Sequence, residues 1–234
     1  SSFAVSHDQH DFRNGLLAYS LWVALSLQRR FKRIKFIETF RWPQGLLAKL
    51  EAKHGLARKQ SALIAQGLRQ FFMAYLEGGT KYVAMPSQAV DELWHEFILF
   101  TRDYEDFCKN AFGSFLHHTP AVVLDGGENR DNAGLARVWH HCCVDEGIDA
   151  RNPSRLPLLF ALDTKFNWPG GYRYTPNCDA LRRNGDDATQ CASDFAQHLG
   201  RAKDAGYSNA GCSGGSDSSA HGDGDGGGCG GGGE

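Results

Sequence analysis

The sequence predicts a mainly α protein, a single irregular multi-helix domain followed by a disordered glycine-rich C-terminal tail. Apolar residues recur at helical spacing in several segments, and glycine or proline separates these segments. The composition changes near the end, where thirteen of the last 30 residues are glycine. With 234 residues and 41% hydrophobic residues, the chain is long and apolar enough to bury a core.

We expect three parts along the chain. Residues 1–36 hold an apolar helix and a basic run, residues 37–204 a helical globular domain, and residues 205–234 the tail. The tail contains no lysine or arginine and no apolar periodicity. It therefore cannot offset the entropic cost of ordering its backbone.

The N-terminal part allows two interpretations. The stretch Gly15–Leu27 is almost wholly apolar, but it is shorter than the roughly 20 residues that span a bilayer. Its length favours a buried helix with a charged end. The alternative is a membrane-proximal helix whose cationic end is held by anionic lipid at the cytoplasmic face of a membrane. The basic residues concerned are Arg29, Arg30, Lys32, Arg33 and Lys35.

Composition makes other partners and compartments less suitable. The net charge of -2 gives no general attraction to nucleic acid, and the basic run has only Phe31 for base stacking. We therefore expect no nucleic-acid partner, and the sequence identifies no protein partner. Seven cysteines without a CxxC pair favour mostly reduced thiols and hence a cytoplasmic domain.

The globular domain is predicted to be a series of helices. Pro43 lies near the start of the first, and the strongest runs from about Lys59 to Leu76 and ends at Gly78-Gly79. Ser87 is a plausible N-cap of a helix that continues to about Phe112. The remaining predictions are an extended link at 81–85, a loop at 122–132, a helix at 133–145, a helical run from 153, an irregular segment at 167–177 and a last helix at 192–203.

The densest group of chemically active residues begins on the Ser87 helix. Asp91 and His95 are four residues apart and so share one helical face. They can ligate one metal ion, or Asp91 can orient the His95 ring. Past Gly113 the chain can fold back to bring His117 or His118 near them, giving a ligand set that suits zinc or non-haem iron.

Cys108 is harder to include in the same site. It follows His95 by 13 residues, roughly 220° around an ideal helix. Either the helix bends near Thr101, or Tyr104 and Cys108 pack elsewhere, and we favour the second arrangement. In the structural alternative, Asp91 and His95 are only a hydrogen-bonded pair beside the core residue Trp94.

A second cluster, at 139–143, has the sequence Trp-His-His-Cys-Cys. Adjacent helical residues point about 100° apart, so these side chains cannot share one site. We expect Trp139 and one of the cysteines in the core and one histidine facing solvent. Phosphate-loop, nucleophile-elbow and HExxH motifs are absent from the sequence, so it assigns no reaction.

The motif around Asp91 resembles the glycine-rich domain-containing protein-like family. The matching pattern is Asp91-x-x-Trp94-His95, Tyr104-x-x-x-Cys108 and Leu116-His117-His118, strong over about 30 residues and looser over 29–191. The tail is similar to the Gly/Cys-rich tails of bacterial members, in which a membrane segment precedes a basic run. The resemblance implies a shared site around these residues and favours a membrane-linked first helix, but it implies no enzymatic activity.

Two functions from different classes follow. The first is a metal-binding helical domain with Asp91, His95 and His117 or His118 as ligands. The second is a membrane-tethered interaction module in which Asp91 and His95 form a structural pair. The distance between the His95 ring and the rings of His117 and His118 separates the two.

Overall fold

The computed structural model describes residues 2–118, 127–176, 189–192 and 194–195. Within these residues the protein is mainly helical, which confirms the predicted fold class. The predicted tail and most of the predicted last helix lie outside them. The elements are α1 (Ser2–Thr39), α2 (Leu46–His54), α3 (Arg58–Glu77), α4 (Gln88–Ile98), α5 (Thr101–Ala111), α6 (Gly127–Asp145), α7 (Leu158–Lys165), β1 (Tyr174–Thr175) and β2 (Gln190–Cys191).

Helix α3 is the centre of the fold and packs against α1, α2, α4, α6 and α7. Its buried stripe matches the predicted apolar stripe, with Ile64, Leu68 and Phe71 each at 0% exposure. At Gly67 the neighbouring helices come unusually close. An added Cβ there would lie 2.6 Å from Leu162 Cδ1 and 2.9 Å from Val90 Cγ2.

Helix α1 is much longer than the predicted apolar stretch, extending beyond it at both ends. Its C-terminal part packs on α3 and α5, and Ile37 is buried in the core. The Arg69 side chain donates to the carbonyls of Ile37 and Phe40, and it lies over the Trp42 ring at 5.4 Å. None of the described helices has a stretch both long and apolar enough to cross a membrane.

The prediction of one continuous helix from Ser87 to about Phe112 was wrong. Helix α4 ends at Ile98, and α5 begins at Thr101 after Phe100, whose backbone has φ -81° and ψ 63°. This break lets α5 fold back, so that the Phe97 ring contacts both Tyr104 and Phe107, at 5.2 and 5.6 Å. The sequence around the break contains neither glycine nor proline, so no local helix breaker explains it. Packing of the aromatic rings accounts for the break instead.

Three further boundaries differ from the predictions. Helix α6 begins at Gly127, inside the predicted loop at 122–132. Helix α7 begins at Leu158 instead of 153, because Pro157 has an extended backbone (φ -63°, ψ 155°) and a proline disfavours helix at the residue before it. The irregular segment at 167–177 contains β1, which pairs in parallel with β2.

The carboxylate of Asp163, on α7, binds the N-terminus of α4. It accepts from the Ser87 hydroxyl at 2.6 Å and from the backbone N–H groups of Gln88 and Ala89 at 2.8 and 3.1 Å. It also accepts from the N–H of Tyr172 at 2.9 Å. Ser87 is the N-cap, as predicted, and its oxygen accepts from Val90 N–H. Asp163 is only 3% exposed, so it holds α4, α7 and the 171–172 turn together inside the core.

We predict that Asp163→Ala lowers the free energy of unfolding by about 3 kcal/mol or more. The substitution leaves one hydroxyl and three backbone donors without their acceptor, and two of these groups, the Ser87 hydroxyl and the Ala89 N–H, are buried. Urea denaturation measures the change. Asp106→Ala, on the exposed face of α5, is the matched control and is expected within about 0.5 kcal/mol of the parent. Equal effects of the two substitutions would contradict the role of Asp163.

Candidate metal centre

Helix α4 presents Asp91 and His95 on one side while its other faces are buried. Val90, Leu93 and Phe97 are at 0% exposure in the core. The side chain of Asp91 is 20% exposed and that of His95 50%, with His95 Nδ1 3.6 Å from Asp91 Oδ2. The pair thus lies at the rim of the core, as the four-residue spacing predicts.

His118 reaches the same place from the chain after α5. Gly113 ends that helix with φ +79°, a conformation that favours glycine, and the chain then turns back across α4. His118 Nε2 lies 2.9 Å from Asp91 Oδ1, a hydrogen-bonding distance. Its ring centroid lies 4.3 Å from that of His95 and 4.6 Å from that of Trp94.

A buried tyrosine holds this returning segment in place. The Tyr104 hydroxyl accepts from Trp94 Nε1 at 3.1 Å and donates to the Leu116 carbonyl at 2.5 Å. Burial raises the pKa of Tyr104 well above its usual range, so the hydroxyl keeps the proton it donates. The chain is therefore fixed two residues before His118 by a side chain from α5.

Cys108 lies behind the cluster and is not one of its members. It is fully buried, and burial raises the pKa of its thiol, against smaller opposing effects of hydrogen bonds with the Leu116 backbone and the Tyr104 side chain. A neutral, buried thiol is a poor nucleophile. The helix does break near Thr101, yet Tyr104 and Cys108 still pack on the core side, the arrangement we favoured.

The two adjacent histidines take different places. One ligand atom each from Asp91, His95 and His118 lie within 4.8 Å of one another. His117 is exposed, and its ring contacts Phe115 at 4.8 Å. Of the predicted site residues, the structure brings together Asp91, His95 and His118, with Trp94 against the His118 ring. Leu116, whose carbonyl accepts from Tyr104, determines that His118 and not His117 faces Asp91. Its sequence signal is only its apolar side chain.

The geometry is close to that of a three-ligand metal site. Donor atoms around one tetrahedral ion with bonds near 2.1 Å lie about 3–4 Å apart. The pairs that include Asp91 already meet this spacing, at 2.9 and 3.6 Å. The His95 side chain is 50% exposed, so a change of rotamer can bring its ring closer to His118.

The second cluster is separate from this site. Trp139 is buried and His140 is exposed, as expected, whereas both cysteines, Cys142 and Cys143, are buried instead of one. His141 Nδ1 lies 3.5 Å from Glu77 Oε2. Burial raises the pKa of Cys142 and Cys143, so both stay neutral.

The oxidation state of the described cysteines is mixed. Three, at 108, 142 and 143, are free thiols, whereas Cys191 is disulfide-bonded. The expectation of mostly reduced thiols holds for these four, and the other three cysteines lie outside the described residues.

Comparison with known proteins places the chain in one sequence family. The family model described as UCP032817-like matches residues 32–195, which include α2 to α7 and the C-terminal part of α1. No curated protein and no solved structure matches the chain. The resemblance to glycine-rich domain-containing proteins stays a prediction.

We predict that Tyr104→Phe destabilises the domain by about 1–3 kcal/mol and loosens His118. The change removes the acceptor of the Trp94 N–H and the donor to the Leu116 carbonyl, both inside the core. Urea denaturation gives the first effect, and the NMR line shape of the His118 ring gives the second. Tyr172→Phe is the control, since that ring is 37% exposed, and should change neither. An unchanged His118 signal in Tyr104→Phe would contradict the positioning role.

Proposed function

We propose that this chain, which belongs to the UCP032817-like family, is a metal-binding helical domain. Asp91, His95 and His118 would hold one divalent transition-metal ion, zinc or ferrous iron. One observation carries the proposal: a carboxylate and two imidazoles from separate segments of the chain converge within 4.8 Å at the rim of the core. Two imidazoles and one carboxylate are a ligand set that both metals accept.

The charges and donor atoms of the site support this proposal. With neutral imidazoles, the three groups carry one negative charge, which attracts a cation and repels an anion. The atoms that face one another are lone-pair donors, His118 Nε2, His95 Nδ1 and the two Asp91 oxygens. In the absence of an ion, an imidazole N–H must face Asp91 to donate a hydrogen bond, whereas a ligating imidazole would present a lone pair there.

Three protein ligands would leave at least one coordination position for water or a substrate. A bound zinc ion lowers the pKa of such a water molecule to about 7. The side chain of His95 is 50% exposed, so this position is open to solvent on the His95 side. The arrangement thus suits hydrolytic or oxidative chemistry, without naming a substrate.

The alternative function is an interaction module in which Asp91 is only a structural partner. The sequence pairs Asp91 with His95, but the shorter contact is with His118, at 2.9 against 3.6 Å. In that case Asp91 and His118 would tie the returning segment to α4, and His95 would have no role. The two functions therefore differ in what a change at His95 does.

We predict that the purified chain binds about one equivalent of Zn²⁺ or Co²⁺ and that His118→Ala weakens binding at least a hundredfold. Loss of one of three ligands removes a metal–protein bond that water cannot replace in the same geometry. Calorimetric titration and the visible spectrum of bound Co²⁺ report the ion. His117→Ala is the matched control, because it removes the adjacent exposed imidazole, and it should bind as the parent does.

His95→Ala separates the two functions. In the metal site it lowers affinity strongly while leaving the free energy of unfolding of the metal-free chain within about 0.5 kcal/mol of the parent, since the ring is half exposed. No binding by the parent chain, or equal binding by the His117→Ala and His118→Ala variants, would sink the metal proposal.

A further inference from the structure

The outer part of α1 presents a continuous apolar surface to solvent. We call residues 16–27 the apolar segment. Seven of its large hydrophobic side chains are between 44% and 65% exposed, far more than is usual within twelve residues. The exposed side chains are those of Leu16, Leu17, Tyr19, Leu21, Trp22, Leu25 and Leu27.

These side chains surround the helix instead of forming one stripe. At 100° per residue, Leu21 and Trp22 lie roughly 140° and 240° around the helix axis from Leu16. A helix that is apolar on all sides is stable only when apolar material surrounds it. The twelve residues rise about 18 Å, well short of a hydrocarbon core of about 30 Å, so they do not cross it.

A positively charged cleft adjoins this segment, where α1 meets the C-terminal end of α3. Its volume is about 370 Å³, and Arg29, Arg30 and Arg33 line it together with the Ser26 and Thr80 residues. Arg30 contacts Glu77 at 3.4 Å. Neither of the other two arginines has a carboxylate partner among the described residues, so the cleft keeps a net positive charge. We call it the arginine cleft.

We propose that α1 binds the surface of an anionic phospholipid bilayer. The apolar segment would lie within the interfacial layer, and the arginine cleft would take a lipid phosphate. Guanidinium groups bind phosphate through paired N–H donors, and the rings of Tyr19 and Trp22, stacked at 6.1 Å, are side chains that favour the interface. Polar or charged residues flank the segment, Asp11, Arg13 and Asn14 before it and 28–30 after it, so this part of α1 would lie parallel to the surface.

The apolar segment and the arginine cleft adjoin each other, which favours a phospholipid over a second copy of the chain or a soluble phosphate as their ligand. A second copy of the chain would cover the apolar segment but would bring no phosphate to the arginine cleft. A soluble phosphate would fill the cleft and leave the apolar segment in water. Only a phospholipid offers acyl chains and phosphate within the one turn of helix that separates Leu25 from Arg29.

Flotation of the full chain with vesicles tests the proposal, using phosphatidylcholine alone and an equal mixture with phosphatidylserine. The chain should float with the anionic vesicles and much less with the neutral ones. Arg29→Gln with Arg33→Gln should lower the partition coefficient about thirtyfold, near fivefold for each arginine. Leu21→Ser with Trp22→Ser should lower it at least tenfold. Arg102→Gln with Lys109→Gln, on exposed positions of α5, removes the same charge and should change it little.

The result that overturns the proposal is equal loss of binding in the α5 control and the arginine variant, which would mean unspecific attraction of charge. Failure to bind anionic vesicles would overturn it as well. Sedimentation equilibrium without lipid identifies one alternative, a dimer that Leu21→Ser with Trp22→Ser dissociates. Calorimetry with inorganic phosphate identifies the other.

Discussion

The Asp163 carboxylate is the interaction on which the placement of the site depends. It satisfies the first backbone donors of α4, where the helix dipole also favours negative charge. The same oxygens bind the Ser87 hydroxyl and the N–H of Tyr172, so α4 has a fixed start, direction and rotation relative to α7. Close contact at Gly171, where a Cβ would lie 2.7 Å from Asp163 Cβ, requires glycine at that position. Asp91 and His95 take their direction from this anchored helix.

The cluster combines two firmly held groups with one free group. Asp91 lies on the anchored helix α4, and His118 follows a segment that the Tyr104 hydroxyl holds through the Leu116 carbonyl. His95 is half exposed to solvent. An arrangement of this kind fixes the contact between Asp91 and His118 and leaves the His95 ring able to change its rotamer. Two polar groups can lie deep in this aromatic core because the Trp94 N–H donates to the Tyr104 hydroxyl, which in turn donates to the Leu116 carbonyl.

Much of the fold could be predicted from local patterns, and the parts that could not depend on distant contacts. The stripe of α3, its end at Gly78-Gly79 and the Ser87 cap follow from spacing and backbone chemistry. The break at Phe100 depends on aromatic packing between α4 and α5, and no neighbouring residue in the sequence predicts it. Asp163 caps a helix 75 residues earlier in the chain, so its role is invisible to local rules.

The site shows the same division between local and distant causes. Spacing alone places Asp91 and His95 on one face, and the glycine at 113 allows the chain to return. Spacing cannot choose between His117 and His118, because they are adjacent and chemically identical. The choice is made by the Tyr104 hydroxyl, which binds the Leu116 carbonyl and thereby sets which of the two rings faces α4.

Helix α1 runs without interruption from the apolar segment to Ile37 in the core, and Arg69 clamps the carbonyls at its inner end. A helix of this kind behaves as a stiff rod over a few tens of ångströms, so its two ends cannot reorient separately. A partner that held the outer end would therefore also fix the orientation of the globular domain and the direction in which the half-exposed His95 side chain points. Attachment of the outer end would therefore set the orientation of the rim as well.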